Sequence, residues 1–212
     1  MQWNDHHELE GKHAFLGASN FRWMNQNDED FEKRYYAQFA TSIGTAIHEL
    51  AKDCIDSRMK LTKHDKRLVE YSMYKNGIPK RAYDPELILT NLLPFVNDAI
   101  GYRMNSEIIL FYSYNSFGTT DAISFNEKEK TLRIHDLKTG VTPSHIEQLI
   151  VYAALFCLEY KKKPKDFTTE LRIYQSSEIL NYTAEPMEIE KAMELIKLRD
   201  SDIKEYYEGD FR

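Results

Sequence analysis

Apolar residues recur at three- and four-residue spacings from about residue 29 to 60, where Ile43, Ile47, Leu50, Ala51 and Cys54 form one stripe, so the spacing predicts a long helix. A second helical pattern covers roughly 64–76 and stops at the breaker "KNGIPKR". A third covers about 84–102, with Pro94 expected to kink it. The period then changes from helical to alternating. "EIILFYSY" (107–114), "GTTDAISF" (118–125) and "TLRIHDLK" (131–138) interleave β-branched and aromatic residues with polar ones, which predicts three consecutive strands. "TPSHIEQLIVYAALFCLEY" (142–160) reads as a helix capped by Thr142, with Pro143 in its first turn, and it is apolar nearly all round, hence buried. A strand at about 168–175 and an amphipathic helix at about 186–206 complete the chain. The order, helices and then β-β-β-α-β and a helix, predicts a mixed α/β fold of the α+β kind, with a mixed sheet packed between helices.

Composition narrows this to one domain over 1–212. Its parts are a helical region at about 15–104, a sheet-and-helix core at about 105–175 and the closing helix. No stretch approaches the roughly 18–20 apolar residues of a membrane span, and the start has no apolar run behind a basic cap, so a soluble cytoplasmic protein is expected. Cys54 and Cys157 lie inside apolar helical patterns, which suits two reduced, buried thiols better than a disulfide. Two cysteines cannot supply the four thiolates of an ordinary iron-sulfur cluster, so none is expected. A net charge of -6 argues against a generic basic coat for nucleic acid, but not against an enzyme that grips phosphates locally.

Candidate chemistry comes from the strands. Residues two apart share a face, so Leu132, Ile134, Asp136 and Lys138 are expected to point one way, as are Thr119, Asp121, Ile123 and Phe125. A hairpin around "NEKEKT" (126–131), with Phe125 opposite Leu132, sets Ile123 opposite Ile134, Asp121 opposite Asp136 and Thr119 opposite Lys138. Two carboxylates facing each other repel, so something positive belongs between them. Lys138 is one candidate; a divalent cation held by oxygen ligands is a better one. On the following helix Gln148 and Tyr152 are four apart and share a face, and Gln148 is the only amide in an apolar run. In the first helix His48 shares a stripe with Gly44, Ala51 and Ile55, whose small members would let another element approach the imidazole.

Taken together, "GTAIHELA", "GTTDAISF", "HDLKTG" and "QLIVY" resemble the PD-(D/E)XK nuclease superfamily in its RecB-like branch, with "FLGASNFRWM" (15–24) similar to the segment that precedes its first core helix. The resemblance implies a restriction-endonuclease-like core of order α-β-β-β-α-β. It also implies a metal-dependent DNA nuclease, with exonuclease action expected. It assigns catalysis to Asp121, Asp136, Lys138, Gln148 and Tyr152, and binding of Mg2+ or Mn2+ to His48, Asp121, Asp136 and the Leu137 carbonyl. DNA is the implied partner, in the company of a recombination protein, a single-strand-binding protein or a helicase, and an oligomer would suit processive digestion. The competing readings are a non-catalytic nucleic-acid-binding module and a metal-dependent hydrolase of another phosphate substrate.

Overall fold

The computed structural model describes residues 1, 3–140 and 144–210. Five strands form one sheet in the order β1-β2-β3-β4-β5: Asn105–Ser113, Ser116–Asn126, Thr131–Leu137, Thr168–Gln175 and Glu178–Ala184. All neighbours are antiparallel except β3 and β4, which run parallel. Parallel neighbours need a crossover, and helix α5 (Glu147–Tyr160) provides it. The other helices are α1 (Asp28–Ala37), α2 (Ala40–Asp56), α3 (Lys66–Lys75), α4 (Pro85–Gly101) and α6 (Pro186–Asp210). The α+β class and the α-β-β-β-α-β order are as the periodicity predicts. Among the described residues no helix is long and apolar enough to cross a membrane.

Two cores lie on opposite faces of the sheet. Ile47, Ala51, Cys54, Leu92, Phe95 and Val96, from α2 and α4, pack over Ala122, Leu137 and Tyr174. On the other face Leu149, Ala153 and Phe156, from α5, pack over Leu110, Ile123, Leu132, Ile134 and Ile173, with Ile189 of α6 at the margin. Cys54 and Cys157 belong to different cores, so the sheet separates the two free thiols, and burial raises them to about 11 and about 12.

Several boundaries differ from the sequence reading, each for a local reason. The helix predicted over 29–60 is two helices. α1 is capped by Asn27, whose side chain accepts from the Asp30 amide at 2.8 Å, and it buries no residue; the stripe that anchors α2 begins only at Ile43. α4 runs as one helix from Pro85 to Gly101 with Pro94 inside it, and it starts from a strong cap, Asp84 accepting from the Glu86 and Leu87 amides ahead of Pro85. α5 begins at Glu147 rather than at Thr142, because Ser144 is tied to β4 through its amide and hydroxyl, both donating to Gln175; Thr142 and Pro143 lie outside the described residues. Strand β5 was not predicted. It is an edge strand exposed along most of its length, so its sequence lacks the alternation that betrays a buried face.

Candidate metal centre

The site forms where β2 and β3 part. The hairpin register is the predicted one from Asn126↔Thr131 through Phe125↔Leu132 and Ile123↔Ile134, and it ends at Ala122↔His135. Asp121 and Asp136 therefore do not pair across the ladder, nor do Thr119 and Lys138. The Asp121 side chain turns into the gap and accepts the Leu137 amide at 2.7 Å, taking the place of the next ladder bond. Leu137 thus joins the site through its N–H, a contact beyond the carbonyl role that the resemblance implies for it.

A change of face causes this fork. Gly118 and Ile123 both face α5, the first against Tyr152 and the second in the α5-side core, although an odd spacing should put them on opposite faces. Across the ladder, Ser106 bonds Asp56 of α2 while Leu110 lies in the α5-side core, at an even spacing. The switch in β1 falls at Glu107, a non-glycine residue with φ of +52°, in a backbone region that costs an L-residue on the order of 1–2 kcal/mol. Its neighbours pair Ser106↔Ala122 and Ile108↔Thr120, which puts Glu107 across from Asp121. The expectation that Thr119 and Asp121 share a face with Ile123 and Phe125 is therefore corrected: Thr119 and Asp121 are turned away from α5.

The turn delivers Asp121 to α2. Its Oδ1 lies 3.4 Å from His48 Nδ1. Ligand atoms of His48, Glu107 and Asp121 all lie within 4.8 Å of one another. The hydrogen bond to Asp121 is the leading reason that the His48 pKa is raised, and the Asp121, Asp136 and Glu107 charges reinforce it against burial. Gly44, one turn before His48, faces the chain leaving β3, where a Cβ would lie 3.4 Å from Thr139 Oγ1, at ordinary contact distance.

The second half of the site lies toward α5. Asp136 is 4% exposed. Lys138 Nζ donates to its Oδ1 at 3.2 Å and lies 3.0 Å from Oδ2, out of line for a second bond, so that buried Oδ2 has no hydrogen-bond donor. Burial first, and the Asp121 charge second, push the Asp136 carboxyl up to about 6, with Lys138 and His48 opposing. Lys138 Nζ also donates to Gln148 Oε1 at 2.9 Å, and Gln148 Nε2 donates to the Tyr152 hydroxyl at 3.3 Å. Gln148 is exposed, so it is not the buried amide that the apolar run suggested, yet both ends of its amide are engaged. Gly118 makes room for this chain, because a Cβ at that position would stand 2.8 Å from Tyr152 Cε1. Gly118→Val is accordingly expected to displace the ring and to destabilise the fold by about 1–3 kcal/mol, read as a lower urea midpoint at unchanged slope.

All five predicted catalytic residues and His48 thus fall in two groups, one at Asp121 and one at Asp136, whose carboxylates feel each other's charge. Glu107 was missed. The only signal for it was its place in the hairpin register, where it falls opposite Asp121. Beside Lys138 a cavity of about 540 Å³ opens between α2, α4 and the chain leaving β3, lined by Ile43, Ile47, Tyr83, Leu87 and Leu137 among others.

No family model and no characterised protein sequence matches this chain. A solved structure described as "Crystal structure of SSO0001" aligns with 68% of this chain and 82% of its own at 16% identity, with a TM-score of 0.32. That likeness is too distant to bear on function.

Proposed function

We propose that this chain is a metal-dependent DNA nuclease, hydrolysing phosphodiester bonds with Mg2+ or Mn2+ and acting as an exonuclease. The observation that carries the reading is the Asp136 carboxylate, buried beside Lys138 with one oxygen lacking a hydrogen-bond donor, and raised in pKa by burial first and by the neighbouring Asp121 second. Such a carboxylate is costly alone and favourable beside a cation. The donor set fits one: His48, Glu107 and Asp121 would hold it, with the Asp136 charge beside them, the oxygens suiting a hard divalent ion and the imidazole favouring manganese within that class. What a bound ion supplies is charge to match that building on the phosphoryl oxygens and a more acidic water.

The chain's own residues would do the rest. The Lys138 ammonium has three donors, of which Asp136 and Gln148 each take one, leaving a third for the attacking water or a phosphoryl oxygen. Gln148 fixes the lysine, and Tyr152 fixes Gln148 by accepting from its amide nitrogen, which turns Oε1 toward Lys138. Tyr152 therefore works through Gln148 as a positioning residue. The cavity beside Lys138 offers room for a strand, and a recombination protein, a single-strand-binding protein or a helicase would supply substrate ends.

Linear, nicked and closed-circular DNA labelled at either end, incubated with Mg2+ or Mn2+, tests substrate class and polarity together. Asp121→Ala and Lys138→Ala are expected to lower the rate by about 10²–10³-fold. Unchanged cleavage in both folded variants would overturn the assignment.

A further inference from the structure

The face of β1 and β2 that looks away from α5 carries a row of side chains that the cation site does not use. From Glu107 and Asp121 the ladder proceeds to Ile109 opposite Thr119 and then to Phe111 opposite Phe117, with Tyr114 in the turn beyond. Leu110 and Gly118 on these strands face the α5 side, so Ile109, Phe111, Phe117 and Thr119 share the opposite face with the acids. Ile109, Phe111, Tyr114 and Phe117 are between 41% and 91% exposed. The Phe111 and Phe117 rings stack with centroids 6.5 Å apart, and Tyr114 meets Phe111 edge-on at 5.6 Å. Each step along the ladder covers two residues, so the phenylalanine pair stands about 13–14 Å from the acids.

Water-exposed rings on a sheet face are unfavourable by themselves, and their occupant must satisfy two conditions. It must offer flat apolar surfaces to the rings, and it must present an anionic ester at the other end of the row, where the cation site lies. An unpaired DNA strand does both, since its bases are π-faces strung on phosphodiesters and stack on aromatic side chains whatever their sequence. A blunt duplex keeps those faces inside its own stack.

We propose that the open face of β1 and β2 is a stacking platform for unpaired bases, so that the substrate of this site is a single-stranded end or overhang. The proposal rests on the nuclease reading above and names the substrate of that same site. The platform holds the strand a few nucleotides from the bond to be cut, and the row from Phe117 to Asp121 sets the direction in which the strand enters.

The test is fluorescence anisotropy of a labelled oligo(dT) and of a blunt duplex, in the Asp136→Asn background to prevent cutting. Phe111→Ala and Phe117→Ala are each expected to weaken single-strand binding by about tenfold and together by about a hundredfold. The duplex should hardly respond, and Phe117→Trp should restore binding. The slope of affinity against salt should not change, because no phosphate contact is lost. Tyr74→Ala, which removes an aromatic side chain 80% exposed on α3, serves as the matched control and should leave affinity unaltered. Unaltered oligo(dT) affinity in the double variant would overturn the proposal, as would an equal loss for both DNAs. A wild-type dimer in light scattering that Phe117→Ala dissociates would overturn it too, by making the face a contact between two copies of this chain. Ring-dependent binding by a wild type that cleaves no DNA would support the platform while overturning the nuclease reading. Cleavage of single strands that ignores both rings would do the reverse.

Discussion

Asp136→Asn is expected to silence the proposed cation-dependent hydrolysis and, without the ion, to make the protein harder to unfold. On the proposed nuclease reading, loss of the carboxylate should lower the rate by about 10²–10³-fold or more, since it removes charge where the phosphoryl group would be stabilised. The gain in stability comes from the same atoms. In the folded chain the Asp136 carboxyl is raised to about 6, from an ordinary 3.8, chiefly by burial and then by Asp121. Holding it ionised at pH 7 therefore costs on the order of 2–3 kcal/mol of stability, which asparagine avoids. Urea midpoints at pH 7 with a chelator should rank the variant above wild type. Added Mn2+ should raise the wild type and leave the variant nearly where it was, because only the wild type gains from binding. A variant less stable than wild type in chelator would mean that Asp136 is satisfied as it stands.

The second large effect is in acid. His135, beside Asp136 on β3, is fully buried in the network between the sheet and α4. Tyr174 donates its one hydroxyl hydrogen to Asp98 at 2.6 Å, so the His135 Nδ1–H must donate to the Tyr174 oxygen at 3.2 Å, and Nε2 is left as a buried acceptor without a partner. Burial, with Arg172 and Arg133 adding to it, pushes the imidazole down to about 3 from an ordinary 6.5. Between those values the unfolded chain binds a proton that the folded chain refuses. Stability is full above pH 6.5 and falls as pH drops toward 3, by on the order of 4–5 kcal/mol in all. Asp136 acts in the opposite sense: its stability is full below pH 3.8 and is lost as pH rises through about 6. The two slopes therefore oppose each other between about pH 4 and 6. In metal-free protein the advantage of Asp136→Asn over wild type should be full at pH 7, shrink below 6 and vanish near 3.8. His135→Gln, which can still donate to Tyr174, should flatten the acid limb. Urea midpoints from pH 3 to 8 check both, and a gap between wild type and Asp136→Asn that did not change with pH would count against the opposing slopes.

Much of this was legible in the sequence because the core strands obey simple alternation. The apolar pairs Phe125↔Leu132 and Ile123↔Ile134 fix a register that depends only on burial. That Gln148 and Tyr152 share a face followed from their spacing on one helix, whereas the link from Gln148 to Lys138 was only what the family resemblance implied. What was not legible is the point where alternation fails. Nothing in "NSEII" or "TTDAI" announces a residue at positive φ, because glutamate has no preference for that region and the cause is tertiary: Ser106 is pulled to Asp56 while Ile108 is pulled into the α5-side core. Extrapolating the pleat through that point put Asp121 on the wrong face and hid Glu107. The site sits where the regular pattern breaks, which is where sequence reasoning loses its footing.

The change of face also sets how the two strands can move. Below it, β1 and β2 are clamped between the two cores, with Ala122 on one side and Ile123 on the other. Above it only the α5 and α6 side is held, by Leu110, by Gly118 against Tyr152, by the Phe111 amide donating to Glu159 of α5, and by Ser113 and Asn115 donating to Asp200 of α6. The hairpin is a beam propped at both ends: the two cores hold its root, and at its tip Asp200 of α6 accepts from Ser113 Oγ at 2.6 Å and from Asn115 Nδ2 at 3.1 Å. Glu107 and Asp121 stand near the root, so the aromatic face is carried at a set distance from the acids, open above and braced beneath.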